Sequence, residues 1–126
     1  MWIVGHGIDM ESEARIEGYL KTRERWADGI FSRAERELAG EPAKHAYFYA
    51  GRFAGKEAVA KALGTGFAGE VTVHGIEILR LPSDAPCVRL SGATLRVATE
   101  LGATGWFISI SHCNGLAIAS VIALGE

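Results

Sequence analysis

Cysteine is scarce in this chain: Cys87 and Cys113 stand alone, outside any CxxC or Cys/His metal spacing. That excludes a disulfide framework and a zinc module, and it suits reduced thiols in a cytosol, so a cytoplasmic protein is expected. Proline is nearly as rare, with three residues, and there is no internal repeat, low-complexity tract or linker. Disorder and collagen-like repetition therefore do not fit. No charge sign dominates either, because thirteen Lys and Arg oppose fifteen Asp and Glu and the signs are interspersed. That balance argues against a general nucleic-acid binder. The longest apolar run, Leu116 to Leu124, is broken by Ser120 and falls far short of the roughly 20 residues that span a bilayer. The first apolar stretch contains Asp9 and has no basic segment before it, so no secretory signal is expected.

What is present is ordinary globular material: 126 residues, 48% of them apolar. One domain over residues 1–126 is expected, able to bury a core without staples. Trp2 to Asp9 alternates as a strand, with Ile3, Gly5, Gly7 and Asp9 on one face. Ser12 is a plausible N-cap for a helix bearing Ile16, Tyr19 and Leu20 that fades near Asp28. Ser32-Arg33-Ala34-Glu35 reads as a capping box opening a short helix. From Pro42 to Leu63 no strong breaker occurs before Gly64-Thr65-Gly66, which predicts the longest helix, rich in glycine and alanine. Val71 to Leu81 and Cys87 to Leu90 read as strands, Leu95 to Leu101 as a helix closed by Gly102. Trp106 to His112 and Leu116 to Leu124 form a hairpin around Asn114-Gly115. The expected architecture is α+β, a largely antiparallel sheet packed on a long helix.

Two acids stand out for chemistry. Asp9 ends a strand face that glycine leaves bare, which calls for a close backbone or a ligand. Glu57 lies in the small-residue helix, and Phe53, Glu57 and Lys61, four apart, share one helix face. Asp9 and Glu57 could hold a divalent metal with Lys61 beside them. Alternatively, Glu57 and Lys61 form a solvated salt bridge while Asp9 caps a turn. His112 reaches the sheet rim, as a ligand or as a satisfied rim histidine. His6, His45 and His74 show no zinc spacing and read as structural. Gly64-Thr65-Gly66 lacks the Lys-Ser/Thr pair of a P-loop and reads as a helix stop.

Taken together, Gly5-His6-Gly7-Ile8-Asp9, the block Gly51 to Gly66 containing Phe53-Ala54-Gly55-Lys56-Glu57, and Ser109-Ile110-Ser111-His112 resemble the signature blocks of the holo-acyl-carrier-protein synthases. These are the short-chain 4′-phosphopantetheinyl transferases. The blocks fall in that family's order, and Phe31 to Glu35, Ile76 to Ile78 and Pro86 to Leu90 extend the match along nearly the whole chain. The resemblance implies Mg²⁺-dependent transfer of the phosphopantetheine arm of coenzyme A to a serine of an apo acyl carrier protein, with release of 3′,5′-ADP. It implies a 4′-phosphopantetheinyl transferase-like fold and a homotrimer with active sites at subunit interfaces. By the same resemblance Asp9 and Glu57 hold the metal, and Glu57, directly or through a metal-bound water, takes the serine proton. Lys61 offsets phosphate charge, Ser111, His112 and Arg52 hold the nucleotide, and Arg15 meets the acidic carrier. The chain departs from the family pattern at Phe53, Gly55, Cys113 and Asp84-Ala85-Pro86. A coenzyme-A-binding module or hot-dog-like thioesterase is the competing class, and it would need no paired-carboxylate site.

Overall fold

The computed structural model describes residues 1–126. In chain order the elements are β1 (Trp2–Ser12), α1 (Glu13–Thr22), α2 (Trp26–Ile30), α3 (Arg33–Leu38), α4 (His45–Ala62), β2 (Ile76–Arg80), β3 (Pro86–Leu90), α5 (Gly92–Glu100), β4 (Gly105–Cys113) and β5 (Leu116–Gly125). The strands are all antiparallel but divide into two sheets, one ordered β1-β5-β4 and one made of β2 and β3. Helix α4 packs on both.

The close packing of α4 on β1 follows from composition. A Cβ on Gly5 would overlap the Ala62 carbonyl oxygen, and one on Gly7 would overlap that of Ala58, so only glycine lets the helix backbone descend this far. Beneath α4, β5 contributes Ala117, Ala119, Val121 and Ala123, all fully buried. The second sheet sends Ile76 and Ile78 into the same core. Burying each such side chain contributes about 1.5–3 kcal/mol before entropy is counted. A second cluster under α1 to α3 is aromatic, with Trp26 edge-on to Phe31, Tyr49 and Phe53, and Phe31 stacked on Tyr49 at 4.5 Å.

Four elements differ from the periodicity reading. Strand β1 continues through Ser12, and a register shift between Ile3 and Gly5 turns Ile3 out of the glycine face, leaving it exposed. The first helix stops at Thr22, because Arg25 adopts a left-handed conformation (φ 63°) and a separate turn of helix presents Trp26 to the aromatic cluster. Pro42–Lys44 is a 3₁₀ turn leading into α4. Val73–Gly75 is also a 3₁₀ turn, capped by the Thr72 side chain, so the strand begins only at Ile76. The capping box at Ser32 and Glu35, the left-handed Gly102 and the hairpin at Asn114-Gly115 match the sequence reading.

Candidate active site

The inner face of β1 carries Gly5, Gly7, Asp9 and Glu11 in register with Ala123, Val121, Ala119 and Ala117 of β5. Alanine opposite each acid leaves room for carboxylates under the helix. The bare glycines bring α4 close, and Glu57 thereby meets the acids of β1. Its Oε1 is buried and accepts no hydrogen bond. Burial first, then the charges of Asp9 and Glu11, push the Glu57 carboxyl up to about 7.

Asp9 is held from two sides. Its Oδ1 accepts from the Met10 amide at 2.8 Å, and its Oδ2 lies 3.3 Å from Lys61 Nζ, which also donates to the Ile8 carbonyl at 3.2 Å. Lys61 thus pairs with Asp9, and the intrahelical Glu57–Lys61 bridge does not form. A recess of about 280 Å³ opens here, lined by Ile8, Asp9, Met10, Lys61 and Ile118.

Glu11, which sequence reasoning passed over, has a side chain only 4% exposed and sits 3.6 Å from Arg15 Nη1. The available signal was its spacing, since residues two apart on a strand share a face. Arg15 is exposed on α1, and its Nε donates to Tyr19 Oη at 2.6 Å.

His112 lies in the same sheet row as Ala117 and Glu11. Tyr47 stacks on its imidazole at 3.6 Å and 15°, Glu13 Oε2 stands 3.7 Å from Nδ1, and Gly51 leaves space at Nε2. The buried Nδ1 has no hydrogen-bond partner. Burial lowers the imidazole pKa, partly opposed by Glu13. Ser111, one residue earlier, is exposed on the opposite face across from Ile118, so the structure does not bring it beside His112.

Arg52 points toward the second sheet. Its guanidinium lies over the Phe48 ring at 4.4 Å, its Nε is buried without a partner, and burial, followed by the charge of Arg80, lowers its pKa. The Phe48 ring under Arg52 also lines a cavity of about 350 Å³, together with Leu38, Glu41, Lys44, Tyr47 and Arg80. Lys44 is paired there with Glu41 at 3.8 Å, so Arg80 and the aromatic rings are the groups free to meet an anionic ligand with a planar ring.

No set of three or more His, Cys, Asp or Glu side chains forms a metal cage. The fitting ion is one that needs few protein ligands. Mg²⁺ takes one or two carboxylates and completes its shell with water and substrate phosphates. The unpartnered Glu57 oxygen facing Asp9 fits that demand.

Residues 5–119 match the 4′-phosphopantetheinyl transferase superfamily. The chain belongs to that family. Across 124 residues this transferase is 44% identical to the holo-[acyl-carrier-protein] synthase of Beutenbergia cavernae, covering 98% of each chain. It is similar to the crystal structure of holo-[acyl-carrier-protein] synthase from Neisseria meningitidis, with a TM-score of 0.88, 31% identity and coverage of 98% and 99%. The Helicobacter pylori synthase, solved in complex with coenzyme A, gives 0.82 at 32% identity, covering 94% of this transferase and 99% of that chain. The α+β architecture expected of the family is the one observed. No helix of this transferase is long and apolar enough to cross a membrane.

Proposed function

We propose that residues 1–126 form one holo-acyl-carrier-protein synthase domain, which transfers the 4′-phosphopantetheine arm of coenzyme A to a serine of an apo acyl carrier protein. The observation that carries this reading is the buried, unpartnered Glu57 oxygen set against Asp9 where two glycines admit the helix. Asp9 and Glu57 would hold Mg²⁺, which when bound neutralises pyrophosphate charge and polarises the attacked phosphorus.

The remaining work falls to the chain's own groups. The serine oxygen bonds to the phosphorus that bears the pantetheine arm, the bond from that phosphorus to the bridging oxygen breaks, and 3′,5′-ADP leaves with the electron pair. Glu57, directly or through a water, would accept the serine proton, and in the metal-free protein its carboxyl is raised to about 7. Lys61, 54% exposed, can turn from Asp9 toward the phosphates and offset the charge on the leaving group. The cavity lined by Tyr47, Phe48 and Arg80 would take the nucleotide, with Arg52 over its Phe48 ring and His112 at its Tyr47 wall.

A homotrimer goes with this reading. The face of β1, β5 and β4 turned away from α4 exposes Ile8, Met10, Phe107 and Leu116, the first three more than half. A neighbouring copy covering that face would border the recess at Asp9, and Ser111 on the same face would meet the neighbour. A cytoplasmic setting, where coenzyme A and carrier proteins occur together, suits the two free thiols. Mass spectrometry of an apo acyl carrier protein incubated with coenzyme A, Mg²⁺ and this chain is the deciding test. The expected result is the added mass of one phosphopantetheine, and an unchanged carrier would reject the reading.

A further inference from the structure

Lys56 is the immediate neighbour of Glu57, yet it turns the other way and is 0% exposed. Its ammonium has three protein acceptors: Glu35 Oε1 at 2.8 Å, the Val73 carbonyl at 2.9 Å and the Ile76 carbonyl. Glu35, also 0% exposed, accepts in turn from the Ser32 amide at 2.9 Å and the Ile78 amide at 2.8 Å. One buried ion pair therefore ties α4 to the N-terminus of α3, to the 3₁₀ turn and to β2.

Such a pair is a poor device for stability alone, since well-packed apolar side chains of similar volume often do as well or better. Its value lies in direction. Phe48, Tyr49 and Phe53 anchor the N-terminal half of α4 in the aromatic cluster, but from Ala54 to Ala62, around Glu57, its other buried residues are glycine, alanine and valine, which resist rotation about the helix axis only weakly. The other side-chain hydrogen bonds leaving α4, from His45 and Lys61, are exposed. Glu57 is also set beside Asp9 and Glu11, like charges that disfavour its ionised form in this position.

We infer that the buried Lys56–Glu35 pair is a positioning device that sets the rotation of α4 and so holds Glu57 against Asp9. Lys56 and Glu57 are adjacent on one rigid helix, about 100° apart around its axis. Fixing the first fixes the second, which never touches the pair. Groups that hydrogen-bond a metal ligand directly contribute about 10–100-fold to metal affinity, and a support acting through one helical step is expected at the lower end of that range. The inference rests on the proposed Mg²⁺ site and deepens it.

The test is the neutral double variant Glu35→Gln/Lys56→Met, which keeps side-chain length and a capping acceptor without leaving a lone buried charge. Calorimetric titration of the metal-free protein with Mg²⁺ should show affinity reduced about tenfold. Transfer should lose kcat while KM for coenzyme A and for carrier stays within about twofold of the wild type. As a control, Ile78→Val trims the same core and should lower thermal stability without changing Mg²⁺ affinity. Should the double variant not fold, Glu35→Asp keeps the charge, shortens the reach, and is expected to weaken Mg²⁺ binding in the same direction. Wild-type Mg²⁺ affinity in a folded variant would overturn the positioning role. A wild-type protein that neither binds Mg²⁺ nor modifies the carrier would instead reject the reading of the site itself.

Discussion

Lys61 Nζ lies 3.3 Å from Asp9 Oδ2, across the gap between helix and strand, although Glu57 is one turn away on its own helix. The ammonium thus stabilises one acid of the pair and leaves the other uncompensated. Glu57 is the carboxyl that burial and its acidic neighbours raise to about 7, which suits a group that takes up a proton.

Removing either acid should therefore stop transfer without unfolding the protein. Asp9→Ala and Glu57→Ala are each expected to lower kcat/KM by about 10³-fold or more, while circular dichroism stays unchanged, and chelation of Mg²⁺ should reproduce both. Lys61→Ala should be milder, because it leaves both carboxylates in place. Near-normal transfer by the Asp9 variant would contradict the metal assignment.

The raised Glu57 carboxyl has a signature in stability. Between its ordinary value of 4.5 and about 7 the folded state holds a proton that the unfolded state has released. Stability of the metal-free protein should then fall as pH rises through that window. Thermal melts from pH 5 to pH 8 are expected to show this decline, Glu57→Gln should flatten it, and excess Mg²⁺ should oppose it by binding the ionised form. A wild-type midpoint independent of pH across the window would contradict the placement of the three acids.

Gly7→Ala adds one methyl where the Ala58 carbonyl already stands. Denaturant unfolding should register a loss of about 1–3 kcal/mol or more. Because the strain separates β1 from α4, Mg²⁺ affinity should fall with it. Gly18→Ala, where a Cβ meets nothing within 4 Å, is the matched control and should leave Mg²⁺ affinity unchanged.

Arg15→Glu reverses a charge on exposed α1. If an acidic carrier docks there, KM for carrier rises while coenzyme A affinity is unaffected. Equal effects on both substrates would place Arg15 in the nucleotide site instead.

Local signals in the chain were enough for much of this. The Ser32 capping box, the Asn114-Gly115 turn and the small-residue helix each act within a few residues, and each is present. Asp9 stood out because glycine on a strand face marks a close approach, whereas its pairing with Glu57 came from the family resemblance, since spacing alone left a Glu57–Lys61 bridge open. What escaped depends on contacts distant in sequence. The strand expected from Val71 begins only at Ile76, because Thr72 caps a turn whose Val73 carbonyl accepts from Lys56, seventeen residues earlier in the chain. Lys56 carries no local sign of its burial, because its partner Glu35 is distant in sequence. The bulge near Val4, the division into two sheets and the burial of Glu11 likewise arise only when strands pair.

The seam between β1 and α4 also limits how this protein could recover from damage. At Gly5 and Gly7 the obstructing atoms are the backbone carbonyl oxygens of Ala62 and Ala58. No codon change can shorten a carbonyl, and the side chains around it are already alanine. A genetic selection for restored growth after Gly7→Ala should therefore return true revertants to glycine, with compensating substitutions across the seam absent.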